Sequence, residues 1–320
     1  MTAADAALAA VVGDALARAD RRPAAIAAIE RSAPPATGSY RVEILTLRFA
    51  DGSEERLFLK DLGSCKHVKP EPAARRRREL CVYRELLAQA DVGTPAYRGC
   101  VWDEARGRYW LLLAEVDGRR LHRLAFAHWL DAARWLGRMQ ARLAQRDLTA
   151  DDFLVVHDAA FFASVAEQAR AAVAALSPPL AARLGAPLRD YVAVADELAG
   201  GPFTLVHGSY RPYNVLVRDD GRICPIDWEE SARGSPFFDL AYLCDGFDTA
   251  RLSALLDGYD DARAAGGLPV EARATALRRL RLCGIHRNLK TLTKAGGPGF
   301  TRRGADGLVE HTRALAREAR

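Results

Sequence analysis

The chain has 320 residues, 49% of them hydrophobic and 27% charged. That is an ordinary globular composition, and it excludes disordered, collagen-like and fibrous architectures. At about 150 residues per domain the length suggests two domains. Lys and Arg total 46 against 41 Asp and Glu, a net charge of +5, which suits an anionic ligand such as a nucleotide and does not demand nucleic acid.

Residues 1–22 read as an amphipathic N-terminal helix: Asp5 and Asp14 interrupt the apolar run and no basic region opens it, unlike a signal peptide. A Pro/Gly/Ser loop, Pro34–Tyr40, follows a strand expected near Ile26 to Arg31. Residues rich in Val, Ile, Leu and Phe then flank the turn Asp51-Gly52, predicting an antiparallel hairpin whose second strand ends at Lys60. Pro70 and Pro72 introduce a helix with Leu80, Tyr83 and Leu87 on its inner face. Within it Arg75 to Arg78 are consecutive, so they point all round the helix and most of that run reads as solvated surface. The strand RYWLLLAEV precedes a break at Asp117-Gly118.

From Leu121 onward the pattern is mainly helical, with one β-rich interruption from Phe203 to Glu230 and no internal repeat. The expected organisation is therefore α+β: the N-terminal helix, a small β-rich lobe over 23–116, a hinge at 117–120 and a larger, mainly helical lobe over 121–320. No run approaches about 18 uninterrupted apolar residues, so no membrane span is expected. Cys65, Cys81, Cys100, Cys224, Cys244 and Cys283 are scattered, without a C-x-x-C pair or a His at metal spacing, which points to a reduced, cytoplasmic setting.

The chemistry lies between Phe203 and Glu230. FTLVHG reads as a buried strand ending at His207-Gly208, and a loop through Ser209 leads to Asn214. NVLVR then pairs back on RICPI through Asp219-Asp220-Gly221. If Arg218 faces Arg222, Asn214 and Asp227 fall at the open end of that hairpin. An amide oxygen and a carboxylate there suit Mg²⁺, a hard cation that takes few protein oxygens together with phosphate oxygens.

His207-Gly208, five residues, Asn214, and twelve residues later Ile226-Asp227-Trp228-Glu229 strongly resemble the aminoglycoside phosphotransferase-like family of small-molecule kinases, which has the protein-kinase-like bilobal fold. Lys60 ends a strand in LFLKD as the nucleotide-binding Lys of kinase folds does, and Glu79 lies on the next helix, where its partner is expected. YWLLLAEVDG is similar to the strand and hinge that hold adenine, and Gly234 to Leu240 to the family's G-x-P-x-x-D-L segment. The likeness covers roughly residues 24 to 300.

The resemblance implies ATP and Mg²⁺ as cofactors and a small-molecule hydroxyl as acceptor, with neither nucleic acid nor membrane as partner. By it, Lys60 contacts the α- and β-phosphates and Glu79 holds Lys60. The backbone of Glu115, Val116 and Asp117 recognises adenine, and Asn214 and Asp227 ligate Mg²⁺. His207 fixes the loop and Asp239 buttresses it. PPATGSY has one Gly and no G-x-G-x-x-G pattern.

The departure is Ser209, which stands where the family has its catalytic Asp. A serine hydroxyl is a poor general base near neutral pH, although positioning and metal charge supply most of the catalysis in phosphoryl transfer. Two readings follow: an ATP-dependent phosphotransferase with an altered proton step, favoured by Asn214 and Asp227, or a pseudokinase acting as a nucleotide-binding or regulatory module with a protein partner, favoured by Ser209. Asp245, Asp248, Asp257, Asp260 and Asp261 would form an acidic wall for an amine-bearing substrate, but ordinary helix surface and caps are the preferred reading. His286 and Arg287 would equally meet an anionic one.

Overall fold

Apolar residues alternating with polar ones between Ile26 and Ala114 form a five-stranded antiparallel sheet in the computed structural model, which describes residues 2–20, 25–34, 38–297 and 299–319. The strands β1 (Ile26–Ser32), β2 (Tyr40–Phe49), β3 (Glu54–Cys65), β4 (Tyr97–Asp103) and β5 (Arg108–Ala114) lie in the order β1-β2-β3-β5-β4. Helix α1 (Ala3–Asp20) covers one face. Its Ala9, Val12, Ala15 and Leu16 pack with Ile29, Leu45, Leu47, Leu57, Leu59, Val101 and Leu112. Gly99 lets the helix approach, because a Cβ there would lie 2.9 Å from the Ala15 carbonyl oxygen.

Side chains alternate faces along a strand. With Leu57 and Leu59 turned to α1, Lys60 projects from the opposite face, where its register neighbours are Val42 on β2 and Leu111 on β5. The strand expected to stop at Lys60 continues to Cys65, so Lys60 sits within a paired strand and its backbone is fixed on both sides.

Pro72 opens α2 (Pro72–Cys81), which runs on through a π-helical turn, Val82–Leu87, into α3 (Ala88–Ala90). Leu80, Tyr83 and Leu87 are buried. The arginine run departs from the solvated-surface reading. Only Arg77 is exposed, while Arg78 is buried and donates to the Glu229 carbonyl oxygen at 2.8 Å, and Arg76 donates to the Leu62 carbonyl at 2.8 Å.

Two compact units result: residues 1–119 with 216–229, and residues 120–215 with 230–320. The hairpin of strands Val215–Val217 and Ile223–Pro225 turns as expected, with Arg218 N–H donating to Arg222 O at 2.9 Å. Residues 216–229, expected with the helical lobe, belong instead to the first unit. Trp228 is fully buried, and Arg78 and Lys69 of that unit hold Glu229.

The second unit contains α4 (Phe126–Leu143), α5 (Ala159–Leu176), α6 (Pro178–Ala199), α7 (Phe238–Leu243), α8 (Thr249–Ala265), α9 (Arg273–Leu292) and α10 (Arg302–Glu318). A small sheet sets strand Ala232–Gly234 parallel to Val155–Val156 and antiparallel to Thr204–Val206. Helix α5 is long and apolar enough to cross a membrane by length and composition, a departure from the expectation that no segment is. Its Phe162, Val165, Ala169 and Val173 are buried within the unit, and Glu167 pairs with Arg170 on an exposed face at 2.6 Å.

Candidate active site

In the first unit the ammonium of Lys60 lies 2.6 Å from Glu79 Oε1 and 2.5 Å from Asp227 Oδ1. Strand β3 supplies the lysine, α2 the glutamate and the segment after the hairpin the aspartate. Glu79 is 1% exposed. Burial raises its pKa, and the Lys60 cation opposes that rise. Burial alone would lower the pKa of Lys60, but Asp227 and Glu79 outweigh it and keep the ammonium charged. Asp227 adopts φ +70°, a left-handed conformation that Asp tolerates better than most residues. Three of the residues singled out from the sequence thus meet at one point.

Glu229, two residues on, is a fourth that the sequence did not single out for the site. It is buried and accepts hydrogen bonds from Tyr40 Oη at 2.7 Å and Lys69 Nζ at 2.5 Å, with Arg75 at 3.5 Å. The Lys69 ammonium also stands 4.1 Å from the centre of the Tyr40 ring, a cation–π contact. Tyr40 closes the Pro34–Tyr40 loop. Residues 35–37 of that loop, within the PPATGSY segment that has no G-x-G-x-x-G pattern, lie outside the described residues.

At the end of β5, Glu115 N–H donates to the Arg56 carbonyl at 3.0 Å, and its carboxylate pairs with the Arg56 guanidinium at 2.5 Å. The Glu115 amide is therefore not available to a ligand. Val116 follows outside any strand or helix, and its N–H and C=O have no hydrogen-bond partner among the described residues.

In the second unit the loop from His207 to Asn214 is held from below by Asp239. This side chain, 0% exposed, accepts from His207 N–H at 2.6 Å and Gly208 N–H at 3.0 Å. Burial pushes its pKa up to about 7, against the pull of those two amides. His207 is buried too, and its Nδ1 accepts from Ser209 N–H at 3.2 Å. Asn214 Nδ2 donates to Ser209 O at 3.1 Å and faces Ser209 Oγ at 3.4 Å, which leaves the amide oxygen of Asn214 as its acceptor or ligand atom. Tyr210, fully buried, anchors the loop through its hydroxyl to Ala132 O at 3.0 Å.

Carboxylate oxygens of Glu79, Asp227 and Glu229 lie within 4.8 Å of one another. Glu229 is filled by its cationic and phenolic partners, whereas Glu79 Oε2 has no hydrogen-bond partner among the described residues. Asp227 in the first unit and Asn214 in the second each offer the hard oxygen chemistry that fits Mg²⁺.

The sequence pattern of the phosphotransferase enzyme family, APH, matches residues 42–281. The chain belongs to this family. Among solved structures it is similar to the macrolide 2'-phosphotransferase MphH of Brachybacterium faecium, with 21% identity, 95% of each chain covered and a TM-score of 0.57. It also resembles the aminoglycoside phosphotransferase APH(2")-IIIa in complex with GDP and kanamycin, with 17% identity, 92% of this chain and 93% of that chain covered, and a TM-score of 0.59. A thermostable mutant of APH(4)-Ia, in ternary complex with AMP-PNP and hygromycin B, gives 16% identity, 92% and 95% coverage and a TM-score of 0.60. At these identities the likeness establishes the protein-kinase-like bilobal fold. No curated protein is matched by sequence.

Within this phosphotransferase fold two sequence readings need correction. His286 is fully buried, with its Nδ1 2.6 Å from Tyr191 Oη, and Arg287 is held by Ala241 O at 2.8 Å and Asp245 at 2.8 Å. Neither is available to an anionic substrate, because both lie on the inner face of α9. Of the acidic residues, Asp248 and Asp257 behave as the preferred reading had it. Asp248 caps α8 by accepting from Arg251 N–H, and Asp257 pairs with Arg273 at 2.8 Å.

Proposed function

We propose that this member of the APH family is an ATP- and Mg²⁺-dependent phosphotransferase that moves the γ-phosphoryl group to a hydroxyl of a small molecule. The observation that carries the reading is Lys60 held between Glu79 and Asp227. It is a preorganised cation beside a carboxylate, the arrangement phosphoryl transfer needs more than any covalent chemistry. In it Lys60 binds the α- and β-phosphates and Glu79 fixes the direction of Lys60. The unpartnered backbone of Val116 meets the adenine edge, with Asp117 beside it. Asn214 and Asp227 would hold Mg²⁺, which when bound offsets charge on the phosphate oxygens. Asp239 and His207 keep the loop that carries Ser209 and Asn214 in shape.

Two of the solved structures named above hold a nucleotide with an antibiotic, GDP with kanamycin in one and AMP-PNP with hygromycin B in the other. ATP and an amine-bearing or polyhydroxyl acceptor are therefore the first chemistry to try, with GTP alongside. A cytoplasmic setting, where the nucleotide is available, goes with this reading.

The test is calorimetric titration with ATP and with GTP, with and without Mg²⁺, on the wild type and Asp227→Ala. Tight, metal-dependent binding that the variant loses is expected. Affinity indifferent to both metal and variant would overturn the assignment. Ser209 supports a second reading, a nucleotide binder without transfer. It predicts the same binding but no phosphate release.

A further inference from the structure

Ser209 brings no carboxylate to the loop where the family carries its catalytic Asp, and the second unit shows what stands beside it. Asp239 is unsuited to receive a proton from an acceptor: it is completely buried, and its two oxygens take the amides of His207 and Gly208. Glu230 is placed differently. Its backbone is pressed against the loop so closely that a Cβ on Gly208 would lie 1.9 Å from Glu230 O and 3.2 Å from Glu230 Cβ. Its carboxylate pairs with Lys290 of α9, whose ammonium lies 3.2 Å from the carbonyl oxygen of Gly208, in the peptide leading into Ser209. The side chains of Glu230 and Lys290 are 19% and 24% exposed. The pair is thus fixed to the loop and still reaches solvent.

We propose that Glu230 is a catalytic residue of this protein and receives the acceptor's proton in place of the carboxylate that Ser209 lacks. The inference rests on the phosphotransferase reading above. As the acceptor oxygen bonds to the γ-phosphorus, its proton passes to a Glu230 oxygen. The bond from that phosphorus to the β,γ-bridging oxygen breaks, and its electron pair leaves with the nucleoside diphosphate. Lys290 acts through Glu230: by binding both the carboxylate and Gly208 O, it positions the acid against the loop.

The test uses water as acceptor, so that no substrate need be known. Phosphate release from MgATP and MgGTP is measured for the wild type, Glu230→Gln, Ser209→Asp and the double variant, with nucleotide affinity measured on each. The amide oxygen of Gln can still accept from Lys290, so loop placement persists while proton acceptance is lost. The expected result is a fall of about a hundredfold in Glu230→Gln, at unchanged nucleotide affinity, and substantial recovery in the double variant. Wild-type turnover in Glu230→Gln would overturn the proposal, as would a fall that Ser209→Asp does not relieve. A silent wild type with an active Ser209→Asp would also overturn it, while leaving the phosphotransferase machinery standing. Silence in both, without nucleotide binding, would remove the function reading and this inference together.

Discussion

The Tyr40 hydroxyl donates to Glu229 Oε2 at 2.7 Å, joining residues 189 positions apart in the chain. The same carboxylate takes Lys69, and the Glu229 carbonyl takes Arg78. One residue therefore ties the start of β2, the segment before α2 and α2 itself to the stretch that bears Asp227. Because Glu79 is on α2 and Asp227 is two residues before Glu229, this hub sets the spacing of the two acids that hold Lys60.

Glu229→Gln should therefore destabilise the protein by about 2–4 kcal/mol, since it leaves largely buried cations without their counter-charge. Tyr40→Phe, which removes one hydrogen bond and keeps the ring under Lys69, should cost about 1 kcal/mol. Urea denaturation of both variants checks the order. Equal stability of Glu229→Gln and wild type would show that Glu229 does not organise this region.

The functional pair differs from the structural hub in what its loss should do. Under the proposed function, Lys60→Met removes the cation that would bind phosphate and leaves Glu79 and Asp227 facing one another without it. Nucleotide affinity should fall at least about tenfold, a loss of roughly 1.4 kcal/mol or more. Glu79→Gln retains the cation and should weaken binding less. Titration with a fluorescent ATP analogue orders the two, and an unchanged affinity in Lys60→Met would count against a phosphate role for this lysine.

What could be read in the sequence was whatever is local. The turn residues Asp51-Gly52 and Asp219-Asp220-Gly221, the proline at the start of α2 and the spacing of Leu80, Tyr83 and Leu87 each specify structure within a few residues. The strand carrying Lys60 and the hairpin before Asp227 were accordingly found, and family resemblance supplied the pairing of Lys60 with Glu79. Long-range partnerships were not legible. Nothing in the run Arg75 to Arg78 says that Arg78 will meet a carbonyl 151 residues away, so a charge run was assigned to solvent. Glu229 was legible only as the end of the Ile226-Asp227-Trp228-Glu229 motif, not as a partner of Tyr40 and Lys69, and the burial of His286 and Arg287 was hidden because their neighbours come from α5, α6 and α7. The π-helical turn at Val82–Leu87 follows a pattern of apolar spacing that an α-helix satisfies equally well, so no reading of periodicity separates them.

Gly208 has φ +77° and no room for a side chain, since a Cβ would lie 1.9 Å from the Glu230 carbonyl oxygen. Backbone, not a flexible side chain, blocks the space, so Gly208→Ala must shift the loop or the Glu230 segment. The left-handed conformation alone costs a non-glycine residue about 1–3 kcal/mol. Loss of stability by at least that amount is expected, together with loss of phosphate release. A Gly208→Ala protein with wild-type stability and turnover would contradict the tight contact.

The pH dependence of stability should expose His286. Its ring is fully buried among His157, Phe161, Phe162, Tyr191 and Phe238, with Lys290 on the same helix. Burial first, then the nearby His157 and Lys290, hold its pKa well below the ordinary 6.5. The folded protein thus keeps the ring neutral while the unfolded chain binds a proton below pH 6.5. More protons bound in the unfolded state means that stability is fully present above that pH and declines as pH falls below it. For one such group the limiting slope is about 1.4 kcal/mol per pH unit. His286→Phe removes the titration. Whatever it costs outright, the difference in unfolding free energy between wild type and variant should shift by about 1 kcal/mol in favour of the variant between pH 7 and pH 5.5. Urea denaturation at the two pH values measures it, and a difference independent of pH would show that His286 is protonated, or accessible to a proton, in the folded state.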